Sequence, residues 1–305
     1  MLLLEGCMQI GMIGLGKMGL NLMMNLRDNG IDVIGYDVNP AMRQGAVECG
    51  LTVYENLNDF TQSFSDRKII WVMVPAGKIT DSVIHQVSQL CQEGDIIIDG
   101  GNSFYQDSLR HAKQLKEMGI HFLDCGTSGG TSGARGGACL MIGGEEEVFN
   151  HLKDVFQAIS VENGCLYAGK SGSGHYLKMV HNGIEYGMMQ AIGEGFEVLE
   201  ASEYDFDFEK VARVWNNGSV IRSWLVELME LSFKNDPKLD MITGASDSSG
   251  EAQWTVEQAL QLKVPTPVIS LSLMMRYRSK QNDTFAGKVV SALRNAFGGH
   301  SVTKK

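Results

Sequence analysis

Positive charge is scarce in this sequence, which has 26 Lys and Arg against 36 Asp and Glu and a formal net charge of −10 at pH 7. Nucleic acids and anionic membranes select clustered positive charge, so this balance argues against both as main partners. A small anionic substrate remains compatible, because it needs only a local cationic pocket. No uninterrupted apolar run approaches the roughly 18 residues that span a bilayer, and we predict no membrane partner.

Cysteine is also sparse, and no two cysteines form a Cys-x-x-Cys pair. The six are Cys7, Cys49, Cys91, Cys125, Cys139 and Cys165. This spacing excludes a disulfide framework and a zinc site, and it is typical of a reducing compartment, so we expect a cytoplasmic protein. The first seven residues have no basic region and too short an apolar core for a signal peptide. A normal apolar content of 44% and glycines without a three-residue period exclude disorder and a collagen-like chain.

A length of 305 residues fits about two domains. Short β-branched runs alternate with helical stretches up to about residue 168, a pattern typical of a parallel sheet covered on both faces. Strands are predicted at residues 9–13, 32–36, 69–74, 95–99 and 121–124, with further strands at 138–142 and 165–168. We therefore predict an α/β, doubly wound, Rossmann-like domain over residues 1–174, which ends in the Gly/Ser cluster at 169–174.

Beyond this cluster the strand pattern fades. Helices are predicted at residues 175–202, 206–233, 250–262 and 268–297, followed by a tail at 298–305. The second half, residues 175–305, is therefore predicted to be an all-α domain.

A glycine-rich turn follows the first predicted strand and begins a helical pattern. The first glycine permits a tight turn, the second lets a pyrophosphate approach the backbone, and the third lets helix pack on strand. Free N–H groups and the positive end of the helix then face the anion. We predict that this turn binds a dinucleotide through Gly14, Leu15, Gly16, Lys17, Met18 and Gly19.

Asp37 follows the second predicted strand, near the spacing of about 20 residues expected for the acid that binds a ribose 2′-hydroxyl. A carboxylate there would repel a 2′-phosphate, so the sequence favours NAD over NADP. Alternatively, Asp37 only begins the turn at residues 37–40, and Arg43 is close enough to complicate the preference. Three residues that follow a later strand are expected at the same sheet edge, against the cofactor: Val74, Pro75 and Ala76.

Residues 175–186 carry the most informative pattern. Positions i, i+3, i+4 and i+7 share one helical face, and here that face carries Lys178, His181, Asn182 and Glu185, with Tyr186 beside it. The apolar residues of this segment should face elsewhere and pack: Met179, Val180, Ile184 and Met188. The alternative is a solvated polar stripe. However, Gly183 and Gly187 each weaken a helix by roughly 1 kcal/mol relative to Ala, which indicates that another segment approaches closely.

Two more glycine-rich segments end predicted strands, Asp99–Ser103 and Ser128–Gly130. Either alone is an ordinary turn. Considered with the cofactor turn, they indicate the floor of a site whose N–H groups and small polar side chains suit carboxylates and hydroxyls.

Together these residues resemble the 6-phosphogluconate dehydrogenase family, the decarboxylating enzymes of the pentose phosphate pathway and gluconate metabolism. The resemblance spans residues 10 to 300. Its motifs are Gly14-x-Gly16-x-x-Gly19, Asp99–Ser103, Ser128–Gly130, Lys178–Gly187 and Arg294-x-x-Phe297-Gly298-x-His300. The run at 178–187 is highly specific, whereas the glycine turn is not. The chain is similar in length to the family's short form, which is often NAD-linked.

The resemblance implies oxidative decarboxylation of 6-phospho-D-gluconate to D-ribulose 5-phosphate and CO2, with reduction of NAD. Lys178 would be the general base, and Glu185 the acid that protonates C1 of the enediol. Substrate-binding roles carry over to Asn102, Ser128, Gly129, Gly130, His181, Asn182 and Tyr186, and Asn102 would also contact the cofactor. Arg294 and His300 would reach the active site of a neighbouring subunit, which implies a homodimer or larger assembly. A β-keto acid loses CO2 readily once its ketone is polarised, so no metal is expected.

One segment departs from the family. A Lys-Gly-Thr run that contacts the substrate phosphate is missing before Trp254-Thr255, so the resemblance leaves phosphate binding to other residues. The candidates are Tyr186, Arg294, Ser248, Ser249, Arg278 and Lys280. Two other functions stay open: a β-hydroxyacid dehydrogenase that does not decarboxylate its substrate, and a non-catalytic NAD-binding regulator.

Overall fold

A computed structural model describes residues 8–303. The Met1–Cys7 segment, for which we predict no signal peptide, and the last two residues of the predicted tail lie outside the described residues. The chain divides into two compact units, one up to His181 and the other from Asn182 onward.

The strands of the first unit are β1 (Gln9–Ile13), β2 (Asp32–Tyr36), β3 (Thr52–Tyr54), β4 (Ile69–Val72), β5 (Ile96–Asp99), β6 (His121–Ser128), β7 (Ala138–Gly144) and β8 (Ser160–Gly169). Its helices are α1 (Lys17–Asp28), α2 (Pro40–Glu48), α3 (Leu57–Gln62), α4 (Lys78–Ser88), α5 (Tyr105–Glu117), α6 (Gly130–Gly136) and α7 (Glu146–Ala158). Helix α8 (Ser173–Glu200) begins in the first unit and continues into the second.

The eight strands form one sheet in the order β3-β2-β1-β4-β5-β6-β7-β8. Six neighbouring pairs run parallel, and β6 with β7 is antiparallel. The central strands are apolar at successive positions because both faces are covered. In β5, for example, Ile96 and Ile98 pack into one apolar layer and Ile97 into the other. The predicted doubly wound α/β class is confirmed; the antiparallel pair and the short β3 are features that the sequence pattern did not indicate.

The carboxyl ends of the parallel strands β1, β2, β4, β5 and β6 lie at one edge of the sheet. Strand β1 has β2 on one side and β4 on the other, so the order of the strands reverses at β1. Ligands of doubly wound proteins bind at such a switch point, outside the carboxyl ends of the strands. All the turns singled out from the sequence follow these strands.

The second unit is helical, which confirms the predicted all-α character. Its helices beyond α8 are α9 (Phe208–Asn216), α10 (Trp224–Asn235), α11 (Glu251–Leu262), α12 (Pro267–Ser279) and α13 (Phe285–Gly298). Phe196, Phe208 and Phe233 are at the centre of one of its apolar clusters.

In two places where the sequence predicts one long helix, the structure has two shorter helices. The helix predicted over 206–233 is interrupted at Gly218, whose φ of +94° no α-helix contains, and Ser223 then caps α10 by accepting the Val226 N–H at 3.3 Å. The helix predicted over 268–297 is interrupted at Asp283, with φ of +51°, and Thr284 caps α13. Within residues 8–303, no helix is long and apolar enough to cross a membrane.

Candidate active site

The glycine turn after β1 has the geometry that a pyrophosphate requires. Gly14 has φ of +94°, and a Cβ on Gly19 would lie 1.9 Å from the Gly14 carbonyl oxygen, so neither position tolerates a side chain. At Gly16 the space for a Cβ is open. Gly16 caps α1 without a side-chain hydrogen bond, which leaves N–H groups of the first turn to a ligand. These residues therefore fit a dinucleotide.

Asp37 lies directly after β2, and its carboxylate borders the glycine turn. Oδ2 accepts a hydrogen bond from the Leu15 N–H at 2.7 Å, and Oδ1 accepts one from the Asn39 N–H at 2.7 Å. A carboxylate has about four lone-pair positions, so it can still accept ribose hydroxyls. Arg43 donates to the carbonyl oxygens of Asp37 at 2.7 Å and Val38 at 3.3 Å. Its guanidinium is thus occupied with backbone oxygens.

The turns after β4 and β5 lie beside the glycine turn. A Cβ on Gly14 would come within 2.8 Å of Val74 Cγ1, and one on Gly101 within 2.9 Å of the Val74 carbonyl oxygen. Pro75 accepts the Thr80 hydroxyl at 2.9 Å, which fixes the turn that carries Ala76. Asn102 is exposed in this chain. The structure therefore brings the predicted cofactor segments together, while their binding roles stay predictions.

Helix α8 begins against β6, and Asp124 holds it there. Asp124 is completely buried, accepts the Gly172 N–H at 2.6 Å through Oδ1 and accepts the His175 N–H at 2.9 Å through Oδ2. A carboxylate at a helix N-terminus satisfies otherwise unpaired N–H groups and is attracted by the helix dipole. The sequence analysis assigned no role to Asp124, because nothing in the sequence tells which strand α8 packs on.

From Asp124 onward, α8 follows β6 at backbone distance. A Cβ on Gly126 would lie 2.4 Å from Lys178 Cβ, and one on Gly174 would lie 2.5 Å from the Asp124 carbonyl oxygen. Glycine at both positions is therefore what lets helix and strand meet. Lys178 is buried in this contact, with 6% of its surface exposed.

The same alignment continues to the carboxyl end of β6. Ser128 Oγ and His181 Nε2 lie 3.2 Å apart, within hydrogen-bond distance. Gly129 and Gly130 follow with φ of +110° and +59°, values that glycine adopts easily. Asp124, Gly126 and Ser128 thus face successive turns of α8, so that the helix brings His181 to the carboxyl end of β6.

The second unit contains the rest of the predicted stripe. Asn182 is buried and donates through Nδ2 to Oε1 of the buried Glu251 at 3.2 Å. Glu185 is half-buried and also has interactions with its surroundings. Glu185 follows Lys178 by seven residues on one continuous helix, so the two residues share a helical face.

Tyr186 is buried and is the centre of a polar group that the sequence analysis identified only in part. The Arg276 guanidinium stacks on its ring at 3.4 Å, and the Ser249 N–H donates to its hydroxyl at 3.2 Å. Of the predicted phosphate cations, Lys280 is paired with Asp247, and Arg278 donates to the Gln281 carbonyl oxygen. The sequence analysis did not name Arg276 as a candidate phosphate ligand. The signal that could have indicated it is its position two residues before Arg278, in the same basic segment.

Gly183 and Gly187 of α8 behave as predicted. A Cβ on Gly183 would lie 3.0 Å from Thr255 Cγ2, and one on Gly187 would lie 3.2 Å from Val268 Cγ1. The predicted close approach is therefore confirmed, and α11 and α12 make it. The prediction that Ile184 and Met188 pack is wrong for the single chain, in which they are 52% and 43% exposed. Each follows one of these glycines by one residue, so its side chain points about 100° around the helix axis from the contact with α11 and α12.

The predicted residues of the C-terminal segment are exposed. Every residue of α13 is exposed, including Arg294, and the exposed residues include Phe285 and Phe297. His300 packs edge-on against Phe297 at 6.3 Å between ring centroids, and its carbonyl oxygen accepts from the Asn295 amide. In the part of the chain that the structure describes, no three His, Cys, Asp or Glu side chains are grouped as a metal site requires.

A glycine turn at the switch point of a mainly parallel sheet, followed in the chain by a helical unit, is the arrangement of a dinucleotide-binding protein. Residues 9–169 match the family model for the NAD binding domain of 6-phosphogluconate dehydrogenase, and residues 174–297 match the model for its C-terminal domain. The chain therefore belongs to the 6-phosphogluconate dehydrogenase family.

Individual relatives agree with this membership. YqeC of Bacillus subtilis (strain 168), a candidate 6-phosphogluconate dehydrogenase, is 58% identical over 98% of this chain and 100% of its own. An NAD(+)-dependent, decarboxylating 6-phosphogluconate dehydrogenase of Haloferax volcanii is 41% identical over 98% of this chain and 99% of its own. The Plasmodium falciparum 6-phosphogluconate dehydrogenase, studied with NADP+ and with 6-phosphogluconate, superposes with a TM-score of 0.82 at 28% identity, and the match covers 97% of this chain. This chain spans 66% of the Plasmodium protein's length.

Proposed function

We propose that the chain oxidises and decarboxylates 6-phospho-D-gluconate to D-ribulose 5-phosphate and CO2, with reduction of NAD. The carrying observation is the course of α8 along β6, which buries Lys178 against Gly126 and brings His181 to Ser128, near a turn that fits a dinucleotide. Family membership supports the same reaction.

In this proposal Lys178 takes the proton of the substrate 3-hydroxyl, and NAD, when bound, accepts the hydride from C3. A lysine can act as a base only where its neutral amine is accessible, and burial in general favours the neutral form. The resulting ammonium of Lys178 then donates a hydrogen bond to the C3 ketone, which becomes the electron sink as the C1–C2 bond breaks and CO2 leaves. Glu185 donates a proton to the former C2, now C1 of the enediol. No metal takes part in these steps.

Substrate binding is proposed for the residues around Lys178. Ser128 and His181 form a hydroxyl–imidazole pair that can accept and donate to substrate hydroxyls, with the N–H groups of Gly129 and Gly130 beside it. Asn102 is proposed to contact both substrate and cofactor from the β5 turn.

For the phosphate, the structure offers Arg276 in addition to the residues named from the sequence. Its guanidinium is held flat on the Tyr186 ring at 3.4 Å, and Nη1 donates to the Asp247 carbonyl oxygen at 2.9 Å. A planar cation that is fixed in this way loses little side-chain freedom on binding an oxyanion. We propose Arg276 and Tyr186 as the phosphate-binding pair.

We propose NAD as the preferred cofactor. The Asp37 carboxylate lies beside the turn, where the negative charge of a 2′-phosphate would be repelled, and Arg43 is engaged by two backbone carbonyl oxygens. Relatives of the chain are named with NAD and with NADP+, so the preference rests on these contacts.

A homodimer is proposed because α13 has no buried residue in the single chain, although it carries five large exposed apolar side chains: Phe285, Val289, Val290, Leu293 and Phe297. An isolated helix of 14 residues is only marginally stable in water without a covered apolar face. By the family resemblance, Arg294 and His300 would then reach the active site of the neighbouring subunit. Inactive Lys178→Met and Arg294→Ala chains, mixed to form hybrids, should then recover part of the activity; proven hybrids without activity would contradict the shared site.

A cytoplasmic location is part of the proposal. The described cysteines are all free thiols, as is typical of a reducing compartment.

The test is NADH formation from 6-phosphogluconate and NAD with CO2 trapped in parallel. Equal amounts of NADH and CO2 are expected. NADH without CO2 would indicate the simpler β-hydroxyacid dehydrogenase, and no turnover would leave a non-catalytic NAD-binding regulator.

A further inference from the structure

Glu251 is a buried carboxyl group for which neither the sequence nor the family comparison assigns a role. It is the first residue of α11, after the positive-φ cap Gly250, and only 1% of it is exposed. Oε1 accepts from Asn182 Nδ2 at 3.2 Å. Among the residues that the structure describes, the other oxygen, Oε2, has no hydrogen-bond partner and no exposure to water.

Burial of a carboxyl group costs free energy, and the oxygen that has no hydrogen bond among the described residues leaves part of that cost uncompensated. A negative charge at the start of α11 interacts favourably with the helix dipole, but an exposed carboxylate would have the same interaction without the cost of desolvation. The side chain instead extends to α8 and meets Asn182, in the stripe that also carries Glu185. Neither helix stabilisation nor burial accounts for the contact between Glu251 and Asn182, so we look for a function of this contact.

A carboxylate beside an amide determines which way the amide faces. Because the carboxylate oxygen is an acceptor, the nitrogen of the Asn182 side chain must face Glu251, and the amide oxygen lies on the opposite side of the group. Removal of Glu251 would remove this preference for one orientation of the Asn182 amide. An amide of fixed orientation presents its oxygen as an acceptor, which suits a hydroxyl group and repels a carboxylate or phosphate.

We propose that Glu251 is a positioning residue that fixes the Asn182 amide so that Asn182 binds a hydroxyl of the polyol substrate. This inference rests on the proposed function, in which Asn182 contacts 6-phosphogluconate. Glu251 does not itself contact the substrate; it acts through Asn182, and it determines substrate affinity and the alignment of the hydroxyl-bearing carbons.

Two variants separate this role from helix stabilisation. Glu251→Gln keeps the length of the side chain and an acceptor oxygen but removes the charge. Glu251→Asp keeps the charge at the start of α11 but is one methylene shorter and loses the Asn182 contact. A positioning role predicts a KM for 6-phosphogluconate within about 3-fold of wild type for Gln, which still contacts Asn182 but can bond either orientation of its amide. It predicts a KM raised about 10-fold or more for Asp, which loses one hydrogen bond to a charged group altogether. A helix-dipole role predicts the reverse order, visible as a lower Tm for Gln.

A double-mutant cycle with Asn182→Ala completes the test, with kcat, KM and the Kd for NAD measured for each folded variant. If Glu251 acts through Asn182, Glu251→Asp should change KM less than about 2-fold once Asn182 is Ala, and the Kd for NAD should not change. Independent, additive effects on KM would overturn the inference, as would a Gln variant as impaired as the Asp variant. If the wild-type chain turns over 6-phosphogluconate and both Glu251 variants have the wild-type KM, this inference alone is overturned. A wild-type chain without turnover would overturn the proposed function and this inference with it.

Discussion

Replacing Gly126 by alanine tests whether the contact between α8 and β6 positions Lys178, the proposed general base. The added Cβ would lie 2.4 Å from Lys178 Cβ and 3.0 Å from the Gly174 carbonyl oxygen. Carbon atoms in contact are normally about 3.5 Å apart, so α8 must move away from the strand by about 1 Å. A displacement of that size can cost roughly 100-fold in rate, and overpacking typically costs about 1–3 kcal/mol of the free energy of unfolding.

The assay compares kcat/KM for 6-phosphogluconate with the Kd for NAD and with urea unfolding. We expect Gly126→Ala to lower kcat/KM by about 100-fold, while the Kd for NAD changes little because the glycine turn follows a different strand. Gly195→Ala is the matched control: Gly195 is in the same helix, and a Cβ there meets no atom within 4 Å. It should keep full activity and raise the free energy of unfolding by roughly 0.5–1 kcal/mol.

Two results would refute this reasoning. One is a folded Gly126→Ala protein whose kcat/KM stays within about 2-fold of wild type, since a shift of Lys178 would then have no consequence. The other is an equal loss of NAD binding and turnover, which would indicate general disruption of the domain rather than displacement of α8.

Three further predictions concern single side chains. Lys178→Met should keep the Kd for NAD and abolish hydride transfer, measured as NADH formation; activity within a few-fold of wild type would reject Lys178 as the base. Asp37→Ala should raise the KM for NAD at least about 10-fold and that for NADP much less, because the charged acceptor of the ribose hydroxyl is lost; an unchanged ratio of the two would remove the argument for NAD. Burial raises the pKa of the Cys91 thiol to about 12, so at pH 8 only about one thiol in 10⁴ is ionised, whereas Cys139 is exposed. Iodoacetamide followed by peptide mass spectrometry should label Cys139 far faster than Cys91, and equal labelling of the folded protein would contradict the burial.

The fold class could be predicted because the sheet is covered on both faces. Strand β5 is fully buried, and its unbroken Ile96–Ile98 run is visible without a structure. Strand β3 escaped prediction because it has only three residues, lies at the sheet edge and exposes Thr52. The interruption at Gly218 escaped because apolar residues continue at helical spacing on both sides of it, although the Asn217-Gly218 pair is a common stop signal.

Within the candidate site, the polar stripe of α8 follows from helical spacing, and the three turns follow from strand ends, so both are local features of the sequence. Asp124 and Gly126 could not be recognised in the same way, since their importance depends on β6 being the strand on which α8 packs. Arg276 is a similar case, because its stacking partner Tyr186 lies on a distant helix. Tertiary pairing of this kind leaves no periodic signal in the sequence.

The meeting of α8 and β6 through glycines has a mechanical consequence. Elsewhere in a protein, the height of a helix above a sheet depends on interdigitated side chains that can change rotamer and let the helix drift. At Gly174 the main chain of the helix lies against main-chain atoms of β6 and β7, and Gly126 lies against Lys178 Cβ and the Gly174 carbonyl oxygen. The buried Asp124 fixes the first turn of the helix through two hydrogen bonds. The backbone of Lys178 is therefore held in place, and the mobility that its amine needs for the proposed proton transfer must come from the four methylenes of its own side chain.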